Sequence, residues 1–185
     1  MSLTKANQQL LLKLAKNSIQ HVFKTGRPLK INLNDYPAEL TERRATFVTL
    51  QIHHQLRGCI GMLEPVRPLV EDIAENAFSA AFKDPRFPPL KTDELDELDI
   101  HLSILTPAEP ILFNSEQDLI SQLKPGIDGL ILEEGHRRGT FLPSVWESLP
   151  ESKQFLRHLK QKAGLPSDYW SKNIHIYRYQ AEVIG

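Results

Sequence analysis

Two hydrophobic patterns alternate along this chain, and their order limits the folds it can adopt. Apolar residues from Leu10 to Phe23 recur with a period near 3.6, which predicts an amphipathic helix capped by Thr4 and ended by Gly26. Residues 45–53 alternate with a period of two and predict a strand. The same criteria predict further helices beginning at Pro68, Ser115 and Ser144 and over 152–163, further strands over 55–61, 99–105 and 174–179, and a hairpin formed by 126–134 and 137–143.

This order favours the α+β class, with a mixed, mostly antiparallel sheet and flanking helices. Strands joined by short turns, such as the predicted hairpin at Glu134-Gly135, do not produce the regular strand-helix-strand series of a parallel sheet. A chain of 185 residues is long enough to bury a core as one domain. The acidic, proline-containing segment 84–99 is the predicted seam between two unequal lobes.

Composition excludes several classes of protein. Cys59 is the only cysteine, so no internal disulfide is possible, and no apolar run approaches the roughly 20 residues of a membrane span. We therefore expect a cytoplasmic protein. A stripe formed by Lys153, Arg157 and Lys160 near Trp146 is basic, but the net charge of −1 makes nucleic acid an improbable partner.

Cys59 lies in the motif QLRGCIG, residues 55–61, which is predicted to be a strand after a turn at His53-His54. Simple alternation places Leu56, Gly58 and Ile60 on one face, and Arg57, Cys59 and Gly61 on the other. A cation beside a thiol favours the reactive thiolate, which makes Arg57 the expected electrostatic partner of Cys59. Gly58 and Gly61 would leave space for a ligand near the sulfur.

A structural explanation of the same motif is also open from the residues, and a lone cysteine without an assigned base is a weak signal of reactivity. Free cysteine is among the most frequently buried residue types, and glycines in a strand also mark bulges or tight packing. A catalytic thiol needs a general base, usually histidine, and seven histidines give no unique choice.

Other candidate groups are fewer. Arg86 is held between prolines, a setting that suits either bidentate anion binding or an ion pair with Asp84. Thr140 follows Arg137 and Arg138 at the hairpin and is a second ligand-binding candidate. Metal-binding and nucleotide-binding motifs are absent, so we expect neither a metal nor another cofactor.

Five segments together resemble the AMMECR-domain family, and they extend over nearly the whole chain: LRGCIG (56–61), DPRFPPL (84–90), GIDGLIL (126–132), RRGTFLPSVW (137–146) and FLRHLKQKAGL (155–165). The chain is similar to the stand-alone bacterial or archaeal members of a three-part system that also contains a Memo-like protein and a radical-SAM protein. The resemblance implies an α+β fold of two unequal lobes with the cysteine motif near a cleft. It implies no particular reaction.

Two functional hypotheses follow. In the first, the motif lines a cleft that binds an unknown small molecule, with Cys59 and Arg57 as catalytic residues and Gly58, Gly61, Arg86 and Thr140 as ligand-binding residues. Covalent or redox chemistry at the thiol would then make the protein a cysteine-dependent enzyme. In the second, the chain is a non-catalytic interaction or regulatory module that partners Memo-like and radical-SAM proteins.

Overall fold

The computed structural model describes residues 2–185 and contains helices and antiparallel strands, an α+β fold. In chain order its elements are α1 (Lys5–Thr25), α2 (Ala38–Thr41), β1 (Thr46–Ile52), β2 (Gln55–Gly61), α3 (Leu69–Phe82), β3 (Leu98–Leu105), β4 (Glu109–Pro110), α4 (Glu116–Gln122), β5 (Gly129–Glu134), β6 (Arg137–Phe141), α5 (Ser152–Lys162), β7 (His175–Tyr179) and β8 (Ala181–Ile184). Short 3-10 helices occupy Leu33–Asp35, Thr92–Glu97 and Pro143–Glu147.

The chain divides into two compact units. Unit 1 contains the residues up to Leu105 together with Glu182–Gly185, and unit 2 contains Thr106–Ala181. The segment 84–99, predicted to be a seam, lies inside unit 1. No helix in the described part of the chain combines the length and apolar character that crossing a bilayer requires.

Unit 1 is built on a four-stranded sheet of order β2-β1-β3-β8. The predicted ends of α1 are confirmed: the Thr4 hydroxyl accepts the Asn7 N–H, and Gly26 closes the helix with a φ of 69°. Helices α1 and α3 supply the apolar side chains that pack with Val48 and Leu50, so one face of this sheet is buried in the core. Side chains that alternate with Val48 and Leu50 lie on the opposite face.

Unit 2 is built on a second sheet of order β4-β7-β5-β6. The predicted hairpin is confirmed, with Gly135 at φ 59° between β5 and β6. Helix α5 packs Phe155 against the sheet, and the Trp146 ring stacks on Phe155 with 3.7 Å between ring centroids. The Trp146 indole also donates to the Asp128 carbonyl at 2.7 Å, so this tryptophan belongs to the core.

Two strands were not predicted. The two residues of β4 are too few to show a period, and the four residues of β8 follow β7 after a single intervening residue, so they read as its continuation. The strand predicted last in the chain, 174–179, is therefore followed by another. That strand, β8, is at one edge of the unit 1 sheet.

Candidate functional site

Cys59 lies in the middle of β2, at an edge of the unit 1 sheet. A two-residue turn at His53 and His54 joins β1 to β2, and both residues have positive φ, 51° and 64°. Turns with two positive φ values match the twist of paired strands, so this turn fixes the hairpin despite the absence of glycine. Cys59 pairs in register with Thr49 on β1.

The backbone of Cys59 is held from the open edge of the sheet by one ion pair. The Asp84 carboxylate accepts the Cys59 N–H at 3.0 Å, and the Arg86 guanidinium donates to the Cys59 carbonyl at 3.2 Å. We call this arrangement the Asp84-Arg86 clamp. It occupies hydrogen-bonding groups that an edge strand otherwise offers to another strand, and so protects β2 from pairing with a second chain at this point.

Asp84 is the centre of the clamp. Its side chain is only 2% exposed, and it accepts the Arg86 Nε and Nη2 at 3.0 and 2.7 Å. The hydrogen bond from Arg86 is the main cause that holds the pKa of the Asp84 carboxyl well below its ordinary value, and the Cys59 and Arg86 amides add to it. Of the two alternatives for Arg86, the ion pair with Asp84 is therefore the one observed.

The sulfur of Cys59 lies beside a hydroxyl group. Cys59 is half-buried, and its Sγ is 3.3 Å from the Thr49 Oγ1. Thr49 also pairs in register with His101 on β3. Because residues paired across antiparallel strands share a face, Cys59, Thr49 and His101 form a row on the face opposite Val48 and Leu50. We call this side of the sheet the thiol face.

Strand register relates one histidine to the thiol across the sheet. Neighbouring strands are about 4.8 Å apart, so two steps across the sheet separate the backbones of His101 and Cys59 by about 10 Å. His53 is 81% exposed and pairs instead with Glu97 at 2.8 Å. Among the histidines, His101 is thus the one that the strand register relates to Cys59.

Arg57 departs from the predicted alternation. Gly58 pairs with Leu50 and Leu56 pairs with Gln51, so a bulge leaves Arg57 without a partner on β1. Leu50 and Gln51 point to opposite faces, and the prediction that Leu56 shares a face with Gly58 is therefore wrong.

The Arg57 guanidinium has a carboxylate partner of its own. It binds Glu94 through Nε at 2.8 Å and Nη2 at 3.0 Å, and this bond lowers the pKa of Glu94. The Arg57 side chain is 12% exposed, and its buried Nη1 has no hydrogen-bond partner within residues 2–185. A buried N–H group without an acceptor is costly and requires an oxygen from outside the described side chains, such as water or a ligand.

Both glycines of the motif are explained by contacts within the protein. A Cβ atom on Gly58 would lie 2.1 Å from the Ala80 carbonyl oxygen of α3, so this glycine lets the helix approach the strand. A Cβ atom on Gly61 would lie 2.3 Å from the Thr46 carbonyl oxygen. The packing alternative accounts for both glycines without a ligand.

Thr140 lies in unit 2 and is engaged within the second sheet. Its hydroxyl donates to the Leu130 carbonyl at 2.9 Å and is 3.2 Å from the Tyr179 hydroxyl. Burial raises the pKa of Tyr179 to about 12 despite the opposing hydrogen bond with Thr140. The ligand-binding role assigned to Thr140 remains a prediction, beside this structural role.

The predicted basic stripe on α5 is wrong in one of its three members. Lys160 is fully buried; its ammonium binds Glu116 at 2.5 Å and lies 5.5 Å from the centroid of the Trp170 ring. Its charge is compensated inside unit 2 and does not contribute to a surface for nucleic acid. No group of three or more His, Cys, Asp or Glu arranged to hold a metal ion occurs within residues 2–185.

Sequence reasoning did not identify Thr49, Glu94 or His101 as neighbours of the motif. Alternation did place Thr49 and His101 on the face opposite the core positions of their strands. Only the register between the strands puts Thr49 next to both Cys59 and His101. Asp84 was considered only as a partner of Arg86. Its hydrogen bond to Cys59 joins residues 25 positions apart, and no short sequence pattern indicates such a contact.

Comparison with known proteins gives consistent similarities over most of the chain. A family model described as AMMECR1 matches residues 12–184. A protein of Methanothermobacter thermautotrophicus is 40% identical over 187 residues, which cover 98% of this chain and 95% of that protein. Protein MJ0810 of Methanocaldococcus jannaschii is 43% identical over 162 residues, or 83% and 79% of the two chains. The crystal structure of the uncharacterized protein PH0010 from Pyrococcus horikoshii has a TM-score of 0.83 and 39% identity, and the match covers 94% of this chain and 88% of that chain.

Proposed function

The chain belongs to the AMMECR1 family, and we propose that it binds a small ligand on the thiol face, in contact with the sulfur of Cys59. The observation that carries this proposal is that the backbone and the side chain of Cys59 have different roles. The Asp84-Arg86 clamp holds the backbone of Cys59, while its half-buried side chain stays on the thiol face beside the Thr49 hydroxyl. A fixed backbone with a free side chain is the arrangement that positions a reacting or binding atom.

Two further features support a ligand at this strand. The Arg86 guanidinium is 55% exposed while it donates to the Cys59 carbonyl, so it remains accessible to an anionic group of a ligand beside the thiol. The buried Nη1 of Arg57 has no acceptor within the described residues. A ligand oxygen bound there would satisfy that N–H group.

The chemistry that follows, if the ligand is a substrate, is nucleophilic attack by the thiolate. The sulfur would form a bond to an electrophilic carbon, and the leaving group would depart with the bonding electron pair. The thiol proton would pass to solvent, and Thr49 would donate a hydrogen bond to the resulting thiolate. His101 would act on the ligand rather than on the sulfur, because about 10 Å separates the two backbones.

The test is the reactivity of the single cysteine toward iodoacetamide. We expect native protein at neutral pH to be alkylated at Cys59 faster than N-acetylcysteine, with the product identified by intact mass. Labelling that occurs only after denaturation would overturn the proposal. Replacement of His101 by Gln is the control for general effects on the thiol face, since it should leave the alkylation rate unchanged.

A docking role for the same strand is favoured by a different observation. The bulge turns Leu56, the second residue of the motif QLRGCIG, out of the core and leaves it 43% exposed. Contiguous exposed apolar patches mark surfaces that contact other proteins, and Leu56 would be the apolar residue of such a contact at this strand. As an interaction module for Memo-like and radical-SAM partners, the chain would retain partner binding with Cys59→Ser and lose it with Leu56→Asp, a pair of variants that separates the two functions.

A further inference from the structure

A cavity lies entirely within unit 2, at the hairpin between β5 and β6. Its volume is about 660 Å³, within the range of cavities that hold small molecules. We call it the hairpin pocket. Its side-chain lining is Glu134, Arg137, Leu165, Pro166, Tyr169 and Asn173, and Gly135 and Gly164 complete its wall.

One carboxylate oxygen of Glu134 accepts two hydrogen bonds, and the other accepts none from the described residues. Its Oε1 accepts the Tyr169 hydroxyl at 2.6 Å and the Ser171 hydroxyl at 2.8 Å. Its Oε2 is buried and has no partner within residues 2–185. The two hydroxyls fix the orientation of the group, and the bare oxygen requires a donor, best supplied by a cation.

Arg137 faces Glu134 across the hairpin. The two residues are paired in register, so their Cβ atoms start about 5 Å apart on one face of the sheet. No ion pair joins their side chains in the described structure; the Arg137 guanidinium instead donates to the Gly164 carbonyl. Gly164 has a φ of 82°, a left-handed conformation that favours glycine at this position.

The pocket thus presents a carboxylate and a guanidinium that do not neutralise each other, above an apolar wall of Leu165 and Pro166. A ligand with only one charge would leave the other protein charge without a partner. An α-amino acid carries an ammonium and a carboxylate on one carbon, a separation that suits side chains starting about 5 Å apart. Its side chain would pack on the apolar wall.

We propose that the hairpin pocket binds a free α-amino acid with an apolar side chain, its ammonium on Glu134 and its carboxylate on Arg137. Asn173 lines the same cavity, and its side-chain amide would offer a donor and an acceptor to either group. The proposal uses residues of unit 2 alone and does not depend on ligand binding at Cys59.

The experiment is an NMR titration of the whole chain with three related compounds: L-phenylalanine, N-acetyl-L-phenylalanine and L-phenylalaninamide. The second lacks the ammonium and the third lacks the carboxylate. We expect L-phenylalanine to shift the amide signals of Gly135, Gly164 and Asn173 and to bind at least about tenfold more tightly than either derivative, because a hydrogen bond to a charged group is lost in each case.

Two variants assign each charge. Glu134→Gln should remove the preference over the N-acetyl compound, and Arg137→Gln should remove the preference over the amide. The matched controls are Glu133→Gln and Arg138→Gln, whose native side chains pair with each other at 3.2 Å; both should keep the wild-type order of affinities. Equal binding of the three compounds to wild-type protein, or the absence of shifts at the pocket amides, would overturn the proposal even if a variant failed to fold.

Discussion

Removal of the Asp84 carboxylate should destabilise unit 1 through the loss of the clamp on Cys59. In Asp84→Ala, the Cys59 N–H and the Arg86 guanidinium lose their shared acceptor, and β2 loses its hold at the open edge of the sheet. The contacts of α3 with β1 are untouched by this change. The effect therefore reports on the clamp and not on the core.

The expected magnitude follows from the exposure of each partner. The Cys59 N–H bond is made to a charged group that is 2% exposed, and such bonds contribute about 1.5–3 kcal/mol. The Arg86 side chain is 55% exposed and regains hydration in the variant, so its ion pair adds at most about 1 kcal/mol. The sum is about 1.5–4 kcal/mol, which corresponds to a decrease in Tm of about 3–16 °C for a chain of this size.

The assay is urea unfolding of wild-type and Asp84→Ala proteins, monitored by circular dichroism. Asp93→Ala is the matched control, because Asp93 is an exposed acid of the same segment and its loss should change the free energy of unfolding by less than about 0.5 kcal/mol. A change for Asp84→Ala no larger than that of the control would refute the stabilising role of the clamp.

The pH dependence provides an independent measurement of the same group. The pKa of Asp84 is lowered in the folded protein, so the unfolded state binds the proton more tightly. The stability contributed by the ionised group is present above its unfolded pKa of about 3.9 and is lost as the pH falls below it. Asp84→Asn should therefore show a shallower loss of stability than wild type as the pH decreases through about 4. Parallel curves would contradict the lowered pKa.

Three further predictions concern other parts of the fold. Gly58→Ala should lower the free energy of unfolding by about 3 kcal/mol or more in urea, because its Cβ would lie 2.1 Å from the Ala80 carbonyl oxygen. The control Gly135→Ala should cost about 1 kcal/mol. An equal cost for the two variants would contradict the clash at Gly58. Lys160→Met should retain wild-type Tm within about 4 °C, because it replaces a buried charge by an apolar side chain of similar volume and Glu116, 35% exposed, regains hydration; a large decrease would show that the ion pair with Glu116 is needed. The pKa of Tyr179, raised to about 12, predicts stability that is complete below pH 10 and declines by up to about 2.7 kcal/mol as the pH rises to 12; Tyr179→Phe should lack this decline in alkaline unfolding curves.

Much of the candidate site was predictable as separate pieces. Alternation alone put Thr49 and His101 opposite the buried residues of their strands, and the only cysteine drew attention to β2. The bulge at Arg57 was not predictable, because an extra residue in one strand is defined only by the register with its neighbour. The same holds for the clamp, which joins residues 25 positions apart.

The sequence by itself determined the features that depend on neighbouring residues. The ends of α1 follow from Thr4 and Gly26, and the turn between β5 and β6 follows from Gly135, since capping bonds and positive φ values involve only a few consecutive residues. The tertiary structure decided which side chains meet. In the tertiary structure Lys160 is buried in an ion pair with Glu116, Arg57 pairs with Glu94, and Thr49 lies in register with both Cys59 and His101. These contacts depend on strand register and on packing between segments that are distant along the chain.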